Sequence, residues 1–144
     1  MIETISSILR NKGGGVYAVA PDATVRDAIA MMAEKRVAAV LVLDKGRLVG
    51  IVSAKEYGTK VVLRGHSARD TLVRDIMTRR VVTVTLEVSV FECMAIMTRQ
   101  HIRHLPVFDK GEIVGVVSMG DLASAVIADQ AFKIDQLMTY VGQK

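Results

Sequence analysis

Several residue types are scarce in this chain of 144 residues, and each scarcity excludes a class of protein. The sequence has one cysteine, two prolines, no tryptophan, three tyrosines and three phenylalanines. The single thiol, Cys93, excludes a disulfide framework within the chain. Few aromatic side chains are available for base stacking, which disfavours a binder of single-stranded nucleic acid. His66, His101 and His104 do not supply the four ligands of a structural zinc site, so we expect no metal.

Long apolar runs are also missing. None reaches the roughly 18 residues that span a bilayer, and the N-terminus has neither the basic nor the apolar segment of a signal peptide. We therefore expect a cytoplasmic protein with no membrane partner. Apolar residues nevertheless make up 51% of the chain, and its mean hydropathy is +0.34. One small globule cannot cover that much apolar surface, which predicts burial between subunits, in a homodimer or a larger assembly.

The chain contains an internal repeat. Shifting the sequence by 65 positions aligns residues 16–57 with residues 81–122 without a gap, and 13 of the 42 pairs are identical. Self-similarity at one fixed offset indicates that the same structural unit occurs twice. Because only two copies are present, we expect a pseudo-symmetric pair and not a solenoid.

Each copy has the pattern of a strand, a helix, two further strands and a second helix. Thr24 and Ser89 are predicted to cap the first helix of their copies, because an acidic residue follows each by three positions, as in a capping box. Asp-Lys-Gly at 44–46 and at 109–111 separates two short apolar runs, which predicts a hairpin whose glycine has a positive φ. The fold class is therefore a mixture of α and β, with the strands and helices of one repeat in each half.

A serine and an acidic residue follow the last strand of each copy. They are Ser53 with Glu56, and Ser118 with Asp121. One interpretation is a capping box, in which hydroxyl and carboxylate satisfy free backbone N–H groups. The other is a nucleotide site, because a helix N-terminus favours phosphate and a nearby carboxylate accepts hydrogen bonds from ribose hydroxyls. Recurrence of the pattern in both copies favours the second interpretation.

Basic residues are concentrated between the copies. Residues 55–80 contain seven lysines or arginines against three acidic residues, and this difference of four equals the formal net charge of +4. Such a segment attracts an anionic partner, although a solvated basic loop explains it equally well. Nucleic acid is therefore the alternative partner, but no nucleic-acid-binding motif is present. No catalytic triad or phosphate-binding loop motif is present either, so we expect no enzymatic activity.

Two stretches of the sequence resemble CBS domains. They are VYAVAPDATVRDAIAMMAEKRVAAVLVLDKGRLVGIVSAKEY and VRDIMTRRVVTVTLEVSVFECMAIMTRQHIRHLPVFDKGEIVGVVSMGDLASAV. DIMT, RHLPV and the GVVSxxDL ending are marks of that family, and the second copy is closer to its pattern. The chain thus resembles a CBS-domain pair, or Bateman module, of the small stand-alone type that shares the EYxxKVVLRGxS segment.

The resemblance implies two β-α-β-β-α units that pack sheet to sheet with pseudo-twofold symmetry and leave two clefts. It implies an adenosine ligand, namely AMP, ADP, ATP or NAD, with AMP and NAD as the first candidates. It also implies a sensor, whose ligand changes conformation or assembly and so alters affinity for a protein target that the sequence does not identify. In the second cleft, the residues that match the family's binding positions are Thr83, Val84, Arg103, His104, Ser118 and Asp121. Asp121 would bind the ribose diol, with Arg103 and His104 near the phosphate.

The first copy departs from the family pattern. Glu56 replaces the usual aspartate, and Ala38 and Ala39 occupy the positions of Arg103 and His104 in the second copy. The resemblance therefore predicts a weaker first cleft, whose missing charge neighbouring residues would supply. The residues assigned to it are Ser53, Lys55, Glu56, Tyr57, Lys60 and Arg64. The predicted domains are an N-terminal helix and linker (1–15), the first CBS repeat (16–62), a connector (63–75), the second CBS repeat (76–130) and a C-terminal helix (131–144).

Overall fold

The structure, a computed structural model, describes residues 3–13 and 15–142. The chain divides into two compact units. The first unit comprises residues 16–81, and the second comprises the N-terminal segment together with the residues from 82 onward. The helices are α1 (Ile5–Lys12), α2 (Val25–Lys35), α3 (Ala54–Tyr57), α4 (Val73–Ile76), α5 (Val90–Gln100) and α6 (Met119–Gly142). The strands are β1 (Ala18–Val19), β2 (Ala39–Asp44), β3 (Arg47–Ser53), β4 (Val84–Thr85), β5 (His104–Asp109) and β6 (Glu112–Ser118).

Each unit contains one three-stranded sheet of the same topology. In the first unit the strand order is β1-β2-β3, and in the second it is β4-β5-β6. The first strand of each sheet is parallel to the middle strand, and the middle strand forms an antiparallel hairpin with the last. The mixed α/β class and the β-α-β-β-α order of each copy are thereby confirmed. A π-helical turn, Gly58–Val62, follows α3, and the predicted connector, residues 63–75, lies within the first unit.

The capping box at Thr24 and the two hairpin turns are present as predicted, but the capping box predicted at Ser89 is only half formed. Thr24 forms a complete capping box with Asp27, whereas at Ser89 only the hydroxyl accepts a bond, from the backbone N–H of Glu92. The hairpin turns have positive φ at the lysine as well as the glycine, 51° and 80° at Lys45 and Gly46. Two consecutive residues with positive φ make a type I′ turn, whose twist matches that of the flanking strands.

Each hairpin is covered by a segment that approaches a glycine closely. In the second unit, Leu9 of α1 packs on Gly115, where an added Cβ would lie 2.6 Å from Leu9 Cδ2. In the first unit, Met77 packs on Gly50, where an added Cβ would lie 2.5 Å from its Sδ. Any larger residue at these positions would have to displace the covering side chain. The helix α1 thus forms part of the core of the second unit, although it precedes the first repeat in sequence.

Helix α6 extends well beyond its buried first turns. It runs unbroken through 24 residues, so the boundary predicted between 130 and 131 falls inside it. Leu122 and Ala125 are buried in the core of the second unit, but every residue described from 130 onward is exposed. Residues 143 and 144 of the predicted C-terminal helix lie outside the described residues. Within the described part of the chain, no helix is both long and apolar enough to cross a membrane.

Cys93 has the buried position that the helical pattern predicts. Its side chain is fully buried on α5 in the core of the second unit. Burial, and then the negative charge of Glu92, raise the pKa of the thiol above its ordinary value. Because the thiolate is the reactive form, we expect an aromatic disulfide reagent to leave native Cys93 unmodified and to react after unfolding in denaturant. Rapid stoichiometric modification of the native protein would contradict this packing.

Candidate functional site

The junction of β6 and α6 brings Ser118 and Asp121 together. The helix begins at Met119, directly after the strand, so its first backbone N–H groups lack partners within the helix. Asp121 Oδ2 accepts a hydrogen bond of 2.8 Å from the Ser118 backbone N–H, and Ser118 Oγ accepts one of 3.0 Å from the Asp121 N–H. The capping box predicted from the sequence is therefore formed. Its carboxylate retains contact with solvent, since the side chain of Asp121 is 23% exposed.

Lys12, at the end of α1, also binds this carboxylate. Its Nζ donates to Asp121 Oδ2 at 2.8 Å and to the carbonyl oxygen of Val116 at 2.9 Å. Lys12 is not among the residues predicted for this cleft. The two charged residues are 109 positions apart and share no motif, so only the packing of α1 on β6 reveals the contact.

Two further basic residues lie beside the same junction. His104 is paired with Ser118 across the hairpin of β5 and β6, and the carbonyl oxygen of Arg103 accepts a 2.8 Å hydrogen bond from Met119 N–H. Arg103 is exposed, whereas His104 is partly buried. Arg103, His104, Ser118 and Asp121 of the predicted set are thus brought to one place, and Lys12 joins them. We call these five residues the Asp121 cluster.

The charges of the Asp121 cluster shift the acid–base equilibria of its members. Burial would raise the pKa of Asp121, but hydrogen bonds from Lys12 and Ser118 outweigh it, and the pKa is lowered. Burial also lowers the pKa of His104, and the positive charges of Lys12 and Arg103 lower it further against the opposing effect of Asp121. At neutral pH the cluster therefore combines an ionised carboxylate, a neutral imidazole and two cations.

The lowered pKa of His104 predicts a pH dependence of stability. Because the unfolded chain binds the proton first, the free energy of unfolding should fall as the pH drops from about 6.5 towards the folded pKa. Replacing His104 with glutamine should reduce that fall. Urea unfolding of wild type and His104→Gln at pH 7 and pH 5.5 measures this. Equal pH dependence in wild type and His104→Gln would contradict it.

The remaining two residues predicted for the second cleft have different surroundings. Val84 is buried in the core of its unit, on the first strand of the sheet. Thr83 is exposed immediately before that strand. Their roles as neighbours of a base stay predictions.

The residues predicted for the first cleft are arranged differently. Ser53 and Glu56 form a complete capping box, in which Glu56 Oε1 accepts from Ser53 N–H at 2.7 Å and from Ser53 Oγ at 3.0 Å. Glu56 is only 6% exposed, so its carboxylate is much less accessible than that of Asp121. Lys60 donates to the carbonyl oxygen of Ile76 at 3.1 Å. Lys55 and Arg64 are exposed, and Tyr57 packs against the apolar core of the first unit.

Among residues 3–13 and 15–142, no group of three or more histidine, cysteine, aspartate or glutamate residues is arranged to hold a metal ion. Within the basic segment 55–80, Lys60 and Arg79 donate to backbone carbonyls. The other five basic residues of that segment are exposed, namely Lys55, Arg64, Arg69, Arg74 and Arg80.

Comparison with known proteins assigns the repeat to a family. The CBS domain matches this chain twice, over residues 7–57 and 73–128. A solved structure of a CBS-domain protein from Burkholderia ambifaria MC40-6 is similar, with 44% identity, a TM-score of 0.84, and coverage of 89% of this chain and 96% of that one. A second, from Agrobacterium tumefaciens, has 29% identity, a TM-score of 0.80, and coverage of 85% and 98%.

A curated relative supports the same assignment. The mitochondrial CBS domain-containing protein CBSX3 of Arabidopsis thaliana is 35% identical over 147 aligned positions, which span 96% of this chain and 71% of that protein. The family match covers most of the chain and falls on both copies of the repeat. The β-α-β-β-α order of each unit agrees with it. This chain therefore belongs to the CBS domain family and carries two CBS domains.

Proposed function

We propose that this protein is a non-catalytic regulatory module that binds an adenosine nucleotide at the Asp121 cluster, with AMP and NAD as the first candidates. The observation that carries the proposal is a partly exposed carboxylate beside two cations and an imidazole, at the start of a helix. A sugar diol donates hydrogen bonds to a carboxylate, and a phosphate binds cations and helix N-terminal N–H groups. The Asp121 cluster offers both kinds of partner within one unit.

Each group has a distinct part in this proposal. Asp121 Oδ2 already accepts bonds from Ser118 and Lys12, whereas Oδ1 has no hydrogen-bond donor among the described residues. Oδ1 is therefore available to a ribose hydroxyl. The guanidinium of Arg103 provides a fixed charge for a phosphate. His104 provides a neutral donor that becomes a further cation when an anion raises its pKa.

The first copy is proposed to bind more weakly. Glu56 is buried and accepts hydrogen bonds from the N–H and the hydroxyl of Ser53, and alanines stand at positions 38 and 39. A ligand there would have to displace these bonds without a nearby arginine equivalent to Arg103. Lys55 and Arg64, both exposed, are the side chains free enough to turn towards it.

Thermal unfolding in the presence of candidate ligands tests the proposed function. A ligand at about 100 times its Kd stabilises the folded protein by roughly 2.7 kcal/mol. For a chain of this size, that corresponds to a rise in Tm of several degrees, at about 2–4 °C per kcal/mol. AMP, ATP and NAD should be compared with inorganic phosphate, which controls for binding of any anion. Unchanged melting with all three nucleotides would overturn the proposal.

We further propose that the protein is a homodimer joined through the exposed part of α6. Apolar residues in this part of the helix recur alternately every four and every three positions. This is the spacing of the core residues in a two-stranded coiled coil. They are Ile127, Ala131, Ile134, Met138 and Val141. A self-complementary seam of this kind fits a second copy of the same helix, and exposed Leu137, which flanks it, widens it. Assembly through α6 would link the Asp121 cluster, at the start of the helix, to the subunit interface and to a protein target.

Nucleic acid remains the competing partner, favoured by the exposed cations of segment 55–80. Phosphate-driven binding weakens steeply as salt is added, so titration of a labelled duplex at two salt concentrations separates the two proposals. If the protein is an adenosine sensor, no specific complex with the labelled duplex should form. We also propose that the protein acts in the cytoplasm.

A further inference from the structure

The contact between Lys12 and Asp121 links the proposed ligand site to the N-terminal helix. Lys12 is the last residue of α1, and Gly13 ends the helix in the left-handed conformation, with φ 67°. The Lys12 ammonium lies on the same oxygen, Oδ2, that caps α6. Its side chain is 33% exposed, so the ion pair is accessible to a competing ligand.

A ribose diol and Lys12 require the same carboxylate. Two adjacent hydroxyls are bound best when each oxygen of a carboxylate accepts one hydrogen bond. In the structure Oδ1 is available, but Oδ2 already accepts from both Lys12 and the Ser118 N–H. A third donor at Oδ2 would crowd the ammonium, whereas the Ser118 N–H is fixed by the backbone. Lys12 is therefore the partner that has to leave.

We propose that Lys12 is a latch, which holds Asp121 in the absence of ligand and is displaced when a ribose diol binds. This inference rests on the proposed function and adds to it the element that reports occupancy. Release of Lys12 frees its bond to the Val116 carbonyl as well. The last turn of α1, residues 10–13, then loses its polar attachment to β6.

The rest of α1 limits how far the change extends. Ile5 and Ile8 are buried in the core of the second unit, and Leu9 is held against Gly115. These contacts do not involve the Asp121 cluster. Ligand binding therefore loosens only the end of the helix and Gly13, while the rest of the helix stays packed on the core.

Adenosine tests the displacement of Lys12 most directly, because it carries the ribose diol without a phosphate. Replacing Lys12 with methionine keeps most of the apolar stem and removes the competing ammonium. We expect Lys12→Met to bind adenosine about three- to fivefold more tightly than wild type, the range expected for a partly exposed ion pair. Arg10→Met, which removes a charge from the same helical turn, should bind as wild type does. Isothermal titration calorimetry on the full chain measures all three.

A reporter on α1 tests the movement itself. Since Cys93 is buried, a cysteine introduced as Arg10→Cys is the single exposed thiol and accepts an environment-sensitive fluorophore. Adenosine should change the emission of this protein, and the change should be lost when Lys12→Met is added.

The outcomes separate the latch from the proposed function. Adenosine binding that is unchanged or weaker in Lys12→Met overturns the latch, as does an unresponsive reporter in a protein that binds adenosine. Weaker AMP binding with unchanged adenosine binding would make Lys12 a phosphate ligand instead. If none of adenosine, AMP, ATP and NAD binds to wild type or to Lys12→Met, the proposed function fails, and the latch fails with it.

Discussion

Replacing Asp121 with alanine is expected to lower the affinity for AMP by at least tenfold. A hydrogen bond to a charged group contributes about 1.5–3 kcal/mol, and 1.4 kcal/mol corresponds to a factor of ten in Kd. The substitution removes the acceptor that the ribose requires and leaves the cations of the cluster in place. Calorimetric titration with AMP measures the loss.

Loss of the helix cap has to be separated from loss of the ligand site. Asp121→Ala also removes the carboxylate half of the capping box at the start of α6, which costs about 0.5–2 kcal/mol of stability. Asp27→Ala is the matched control, because Asp27 completes the same capping box with Thr24 at the start of α2. Both variants should lose similar stability, but only Asp121→Ala should lose AMP binding. If Asp121→Ala binds AMP as tightly as the wild-type protein, the Asp121 carboxylate contributes only to the capping box of α6.

Replacing Ile134 with aspartate is expected to convert a dimer into monomers. Ile134 is 61% exposed in the single chain and lies at the centre of the apolar seam of α6. In the proposed dimer, an aspartate there would be buried opposite another apolar surface without a partner, which strongly disfavours association. Sedimentation equilibrium over a range of protein concentrations measures the assembly state.

The control for this prediction lies on the same helix. Gln136→Asp introduces the same residue two positions away and off the seam, so it should remain dimeric. Because both side chains are exposed in the single chain, neither change should alter the fold of the second unit. A wild-type protein that sediments as a monomer at every concentration would contradict the dimer, and a dimeric Ile134→Asp would contradict its placement on α6.

The parts of the fold that follow from short-range patterns could be predicted from the sequence. The cap at Thr24 and the two hairpins depend on residues within three or four positions of one another, so their chemistry is visible in the sequence. Two helix ends were not predictable in this way. Arg36 and His101, which are equivalent in the two copies, end their helices with φ of 56° and 55°, a conformation that short-range rules assign to glycine.

The candidate site was predictable only in part. His104 and Ser118 are paired across one hairpin, with Arg103 directly before its first strand and Asp121 three residues after the end of its last. The repeat with its family resemblance was enough to group these four residues. Lys12 could not be added, because a contact between residues 109 positions apart depends on how α1 packs. Similarly, the sequence shows that Glu56 is longer than aspartate, but only the structure shows that it folds back onto Ser53 and is buried.

The central claim, that Asp121 binds the two hydroxyls of a ribose, is tested most directly by removing one hydroxyl from the ligand. Calorimetric titration of the wild-type protein with AMP and with 2′-deoxy-AMP compares ligands that are identical in base and phosphate. The account predicts that the deoxy compound binds about tenfold or more weakly, the loss expected for one hydrogen bond to a carboxylate. Equal affinity for the two ligands would show that the carboxylate does not bind the sugar, and would contradict the account.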